Sequence, residues 1–261
     1  MKSLITLIAA LTIGGVGGWS LGNQPEPQNQ MNAEQNRQAN QMEQTDSRND
    51  MPAAADFVSL RPALESLPAE TLSVDERAGL LWMREEEKLA RDVYTTLYEA
   101  WGLQIFVNIA QSEQTHTEAV RDLLEKYDVA DPVTVDTVGI FTDPDLQQLY
   151  DDLTARGLTS IEEALQVGAL IEDLDIYDLT QEIAKTDNQD IVLVYENLTR
   201  GSRNHMRAFT SQLTARGETY TPEYLTQTEY DAIVSTEQER GGGYSSGGNG
   251  SGGNGRGWGN Q

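Results

Sequence analysis

Residues 107–119 read VNIAQSEQTHTEA, and inside that stretch Glu113 stands three residues ahead of His116. At that spacing both side chains project from the same face of a helix. The chain has only two histidines, so this one carries weight. Around the pair, Phe106, Ile109, Ala110, Val120, Leu123 and Leu124 recur with helical period. The pattern predicts a helix from about Leu103 to Tyr127, with Glu113 and His116 on its inward stripe.

Working outward, Leu81, Ala90, Val93, Tyr94, Leu97 and Trp101 predict a preceding helix over 75–101, stopped by Gly102. Only a turn separates the two, so they should pair as an antiparallel hairpin. In 128–157, Pro132 and alternating valines interrupt the helical pattern, and Asp143-Pro144 opens a short helix that stops at Gly157. A third long helix is expected from Thr159 or Ser160 to about Lys185, with Glu162 and Glu163 in its first turn. A fourth runs from about Gln189 to Arg216 and ends at Gly217, and "TYTPEYLTQTEYDAIV" supplies a last short helix. The class is all-α: hairpin, long crossover, hairpin, the layout of an up-down four-helix bundle with one long crossover between helices 2 and 3.

Each long helix offers carboxylate or imidazole. The first carries Glu85, Glu86 and Glu87, the second Glu113 and His116, the third Glu172 and Asp175 one turn apart, and the fourth His205, the other histidine. Two iron or manganese ions need about six protein ligands, with shared carboxylates to offset their charge, and a helical bundle supplies these from facing helices. Each residue also has a plainer reading: the glutamates as solvated surface, His205 as a core histidine bonded to Ser202 or a carbonyl. Convergence of all four helices favours the metal.

These residues also carry a resemblance. "EKLARDVY" (87–94) resembles the Glu-x-x-Ala-x-x-x-Tyr of the first metal-binding helix of rubrerythrins, and "IAQSEQTH" (109–116) their Ile-Ala-x-x-Glu-x-x-His. "IEDLD" (171–175) is similar to their third helix, and the full set with "GSRNHMRAF" (201–209) resembles a bacterial and archaeal ferritin-like domain family over roughly 73–235. The resemblance implies a ferritin-like fold with Glu87, Glu113, His116, Glu172, Asp175 and His205 in the ligand positions. Glu87 is preferred to Glu86 for its spacing to Ala90 and Tyr94. By the same resemblance Glu113 bridges, His116 and His205 each anchor one ion, and Asp175 is a ligand that shifts with oxidation state. The implied cofactor is non-haem iron, one or two ions, or manganese. The implied chemistry is oxidation of ferrous iron, or redox chemistry linked to oxygen or peroxide. Two features depart from the rubrerythrin pattern. Ser202 stands where the fourth helix should offer a glutamate, and with no cysteine there is no rubredoxin module. Ser202 keeps open a second class of function, a metal-free extracytoplasmic interaction module on the same scaffold.

Bulk properties narrow the partners. A net charge of −24 excludes the cationic surface that nucleic-acid binding requires. Zero cysteines exclude disulfides, thiolate zinc sites and iron–sulfur clusters, so any metal site must use carboxylate and imidazole. Residues 1–22 (MKSLITLIAALTIGGVGGWSLG) read as an export signal, cleaved after the Ser20-Leu-Gly22 region or retained as an anchor, and place the protein outside the cytoplasm, periplasmic or secreted. Residues 23–55, rich in Gln and Asn, read as a disordered linker, 56–240 as the helical domain, and 241–261 as a flexible Gly-rich tail. Membrane contact is expected only through the first segment, and helix pairing between chains would make a homodimer.

Overall fold

The computed structural model describes residues 61–240; the expected export signal, linker and Gly-rich tail lie outside the described residues. Within them the chain is all-helical, with seven helices and no strand. The helices are α1 Arg61–Ser66, α2 Val74–Trp101, α3 Gln104–Lys126, α4 Pro144–Gly157, α5 Ile161–Ile183, α6 Gln189–Ala215 and α7 Gln227–Val234. None is long and apolar enough to cross a membrane.

Local chemistry sets the boundaries. Ser73 starts α2 with a reciprocal cap: its hydroxyl accepts the Glu76 N–H, and the Glu76 carboxylate accepts the Ser73 N–H at 2.7 Å. Gly102 ends α2 in the left-handed region, φ +67°, and donates its N–H to the Tyr98 carbonyl. A side chain would be strained there, and the sharp reversal throws α3 back along α2. Asp143 caps α4, accepting from the N–H groups of Asp145 and Leu146 with Pro144 next in line, and Ser160 caps α5 by accepting from Glu163. α1 is an addition that the sequence pattern did not announce.

α2 packs along α3 and α5 along α6; the two pairs meet through α2 with α5 and α3 with α6. α4 closes over α2 and α5, and α7 rests on α6. The interior is apolar at both ends and polar between. One apolar cluster gathers Leu97, Phe106, Leu165 and Phe209 around the buried Tyr94. The other gathers Leu80, Met83, Val120, Leu123, Leu179, Val194 and Leu198. On α2, α3 and α6 the chemistry-bearing residues fall where one cluster gives way to the other, and on α5 Glu172 and Asp175 lie among the last residues of the first cluster, ahead of Leu179 of the second. On α3, for example, Ile109 belongs to the first cluster, Glu113 and His116 follow, and Ala119 and Val120 belong to the second. The helix register thus stacks four polar segments at one level, sealed above and below by hydrocarbon.

The crossover between α3 and α4 is fastened to the outer face of α2. Lys88, fully buried, donates from Nζ to the Thr137 carbonyl at 2.9 Å, the Ile140 carbonyl at 3.1 Å and the Asp92 carboxylate at 2.5 Å. Asp92 in turn accepts the Gly139 N–H at 3.0 Å, and Glu85 accepts the N–H groups of Thr142 and Asp143 at 2.6 and 3.0 Å. Arg91 joins Asp92 to Asp136, and Arg84 joins Thr117 to Asp131.

Candidate metal centre

Glu87 from α2, Glu113 and His116 from α3, Glu172 and Asp175 from α5 and His205 from α6 are all buried in the polar layer. Two groups of ligand atoms form there: Glu87, Glu113 and His116 in one, Glu113, Glu172 and His205 in the other, each set lying within 4.8 Å of one another. Glu113 belongs to both and divides its oxygens between them. Its Oε2 is 2.7 Å from His116 Nδ1, which is also 3.3 Å from Glu87 Oε2. Its Oε1 is 2.7 Å from His205 Nδ1, which is also 3.4 Å from Glu172 Oε2. The two imidazoles lie nearly parallel, ring centroids 5.6 Å apart.

At these ion-pair distances each histidine Nδ1 faces only carboxylate oxygens and lacks hydrogen-bond alignment with them, while Glu87 Oε1 and Asp175 Oδ1 are buried with no hydrogen-bond partner. An unpaired buried polar group costs roughly 1–3 kcal/mol, more when charged, so this layer is poorly compensated by protein alone. These buried Glu and His groups could hold a metal ion, and their orphaned atoms fit one.

Surrounding contacts orient the donors. Tyr94 donates its hydroxyl to Glu172 Oε1 at 2.5 Å. Ser112 lies 3.0 Å from His205 Nε2, which fixes the ring. Ser202 donates to Asp175 Oδ2 and so holds that carboxylate beside the two ligand groups, outside both. Gly201 makes room for His116: a Cβ there would stand 2.6 Å from both Cε1 and Nε2 of the ring. Glu86, the alternative to Glu87, is buried but turned to Trp82, whose indole N–H it accepts at 2.8 Å.

Electrostatics sort the acids. Burial pushes the Glu113 carboxyl up, but the two imidazoles outweigh it and hold the group well below the usual range. Burial lifts Glu87 to about 7, with His116 pulling against it. Burial and the neighbouring Glu87 and Glu172 raise Asp175 well above its ordinary value, and burial raises Glu172. Burial lowers the two histidines, but the carboxylates prevail: Glu113 and Glu172 carry His205 to about 9, and Glu113 and Glu87 raise His116 well above its usual value.

Sequence reasoning missed Ser112, Gly201 and the role of Ser202 as a donor to Asp175. Ser112 and Gly201 have no signature of their own. Only their position beside Glu113 and within "GSRNH" marks them.

The family model described as "Uncharacterized protein domain (DUF2202)" matches residues 76–237, a span that holds every residue of this centre. The chain is 57% identical over 178 residues to "Uncharacterized protein MJ0754" of Methanocaldococcus jannaschii, covering 68% of this chain and 96% of that protein. It is also similar to the crystal structure of hypothetical protein MJ0754 from Methanococcus jannaschii, with a TM-score of 0.66 over 67% of this chain and 99% of that one. The chain belongs to the DUF2202 family.

Proposed function

We propose that this member of the family is an exported, ferritin-like four-helix protein that holds a dinuclear non-haem metal centre, iron before manganese, for oxidation of ferrous iron or redox chemistry with oxygen or peroxide. The observation that carries the reading is the division of Glu113: one oxygen toward His116 and Glu87, the other toward His205 and Glu172, with each histidine Nδ1 facing carboxylate oxygen alone. The two hairpins joined by one crossover support the ferritin-like reading. Carboxylate with imidazole suits iron and manganese.

Glu113 would bridge, Glu87 and Glu172 would be outer carboxylates, and His116 and His205 would each hold one ion through Nδ1. When bound, the ions supply one-electron chemistry toward oxygen or peroxide. The chain's own part is orientation and exclusion of water. With Nδ1 given to the ion, His205 Nε2 carries the proton and donates to Ser112, which locks the ring. Tyr94 holds Glu172 in one rotamer. Ser202 keeps Asp175 within reach and leaves its Oδ1 bare, so Asp175 supplies the carboxylate that the fourth helix lacks. The segment before the described residues would deliver the domain outside the cytoplasm.

The test is anaerobic loading with ferrous iron followed by oxygen, read by absorption, in the wild type and in His116→Ala. Near-ultraviolet ferric bands in the wild type, diminished in the variant, are expected. No bound iron in either protein would leave the metal-free interaction module as the reading.

A further inference from the structure

The two ligand groups that share Glu113 are not held alike. In one of them each remaining ligand has a second contact outside the centre. Glu172 accepts the Tyr94 hydroxyl at 2.5 Å, and His205 Nε2 stands 3.0 Å from the Ser112 hydroxyl. The holding groups are themselves fixed. Tyr94, fully buried, packs against Phe209 and Phe106 with ring centroids 5.4 and 6.3 Å away, and Ser112 is buried on α3. Moving either ligand therefore breaks a buried hydrogen bond. The other group has no such support. Among the described residues, no hydroxyl, amide or indole hydrogen-bonds Glu87 or His116, and Glu87 Oε1 is buried with no partner. The outer edge of the His116 ring, Cε1 and Nε2, lies against Gly201, a half-buried position on α6. Where His205 meets a hydroxyl, His116 meets a residue without a side chain. His116 is also the more open imidazole, 6% exposed against 2% for His205.

We propose that the two positions of the centre differ in their hold on metal: the Glu172–His205 position keeps a resident ion, while the Glu87–His116 position fills last, empties first, and is where a ferrous or manganous ion enters and leaves. The proposal rests on the metal-centre reading above and names which of its two positions exchanges. The physical cause is preorganisation. A side chain already locked in its ligating rotamer loses little freedom when the ion arrives, and one that is not locked loses more. Contacts that orient ligands from outside are worth roughly 10–100-fold in metal affinity. Glu113 serves both positions and does not separate them. The difference lies with Tyr94 and Ser112 on one side and Gly201 on the other. Tyr94 and Ser112 are positioning residues, acting on ligands rather than on the ion.

Cobalt(II) titrated into the metal-free full chain, followed by visible absorption, tests the difference. The wild type is expected to fill in two steps whose dissociation constants lie at least about tenfold apart. His116→Ala should retain one ion with the affinity of the first step, and His205→Ala one ion bound at least about tenfold more weakly. Ser112→Ala and Tyr94→Phe should each weaken the first step by about tenfold and leave the second in place. A general loosening of the bundle would not be selective in this way. Each of those two substitutions removes a single hydroxyl; if His205→Ala does not unfold cooperatively, His205→Gln replaces it. Chelator added to fully loaded protein should withdraw one ion well ahead of the other. Two equal steps in the wild type, a tight step that disappears with His116 instead of His205, or Ser112 and Tyr94 variants that weaken both steps alike would overturn the proposal and leave the paired centre standing. A wild type that binds no cobalt would overturn the paired centre itself, and the proposal with it.

Discussion

Nine consecutive residues of α2, REEEKLARD (84–92), supply two kinds of buried charge. Glu85, Lys88, Arg91 and Asp92 face the crossover and are matched: the Lys88 ammonium has a carboxylate and two carbonyls, and Asp92 has Lys88, Arg91 and a backbone N–H. Glu86 and Glu87 face inward and each leaves an oxygen without a partner. Both sets are out of water, so burial does not separate them; satisfaction does. A buried charge whose partners are all protein is part of the scaffold, whereas one that lacks them points to something the chain binds. Asp173, one residue from Glu172, belongs to the first kind. It accepts from the Tyr220 hydroxyl and the N–H groups of Glu223, Tyr224 and Leu225, and so pins the chain that leads into α7.

Four experiments can break or sharpen this contrast. The largest effect is expected from Lys88→Ala, which strands Asp92 and frees the crossover carbonyls. It should lower unfolding free energy by about 3–5 kcal/mol in chemical denaturation, with or without metal. Next, manganese or ferrous iron held at about a hundred times its dissociation constant should stabilise the wild type by about 2.7 kcal/mol, and should do nothing for a Glu113→Gln variant. Third, Glu87→Gln in metal-free protein should leave stability unchanged or raise it by about 1 kcal/mol, since it removes an uncompensated charge. A large loss would place Glu87 with the scaffold group.

The smallest effect is a pH dependence. In the folded chain Glu87 is raised from 4.5 to about 7 and His205 from 6.5 to about 9. Each therefore binds its proton more tightly when folded, and the stability it lends is full below the unfolded value and lost as pH climbs through the folded one. Glu113, shifted the other way, lends stability above 4.5 that is lost only in strong acid. The melting temperature of metal-free protein should fall from about pH 5 to pH 9. Metal, which displaces those protons, should flatten the slope. A metal-free protein that gains stability over the same range would contradict the assignment.

The sequence made the inner stripe of α3 readable, because apolar period and the Glu113–His116 spacing coincide there. Gly102, Asp143-Pro144, Gly157 and Gly217 made the helix ends readable through their backbone preferences. What it hid was the burial of Glu85, Lys88, Arg91 and Asp92. Periodicity recognises a face covered by hydrocarbon, and this face is covered instead by the carbonyls and N–H groups of 137–143, far along the chain. Glu85 could therefore be taken for solvated surface. Ser112 and Gly201 were hidden for a similar reason: their importance lies in how closely another helix approaches, and neither residue type announces that. Ser202 looked like a missing ligand, and only its hydrogen bond to Asp175 shows what it holds.

Metal content per chain, measured by elemental analysis after loading and extensive dialysis, bears most directly on the shared role of Glu113. The two overlapping ligand groups lead us to expect about two ions in the wild type and, because each group loses a donor, almost none in Glu113→Gln. Full content in that variant, or a wild type that retains no metal, would contradict a centre built around that carboxylate.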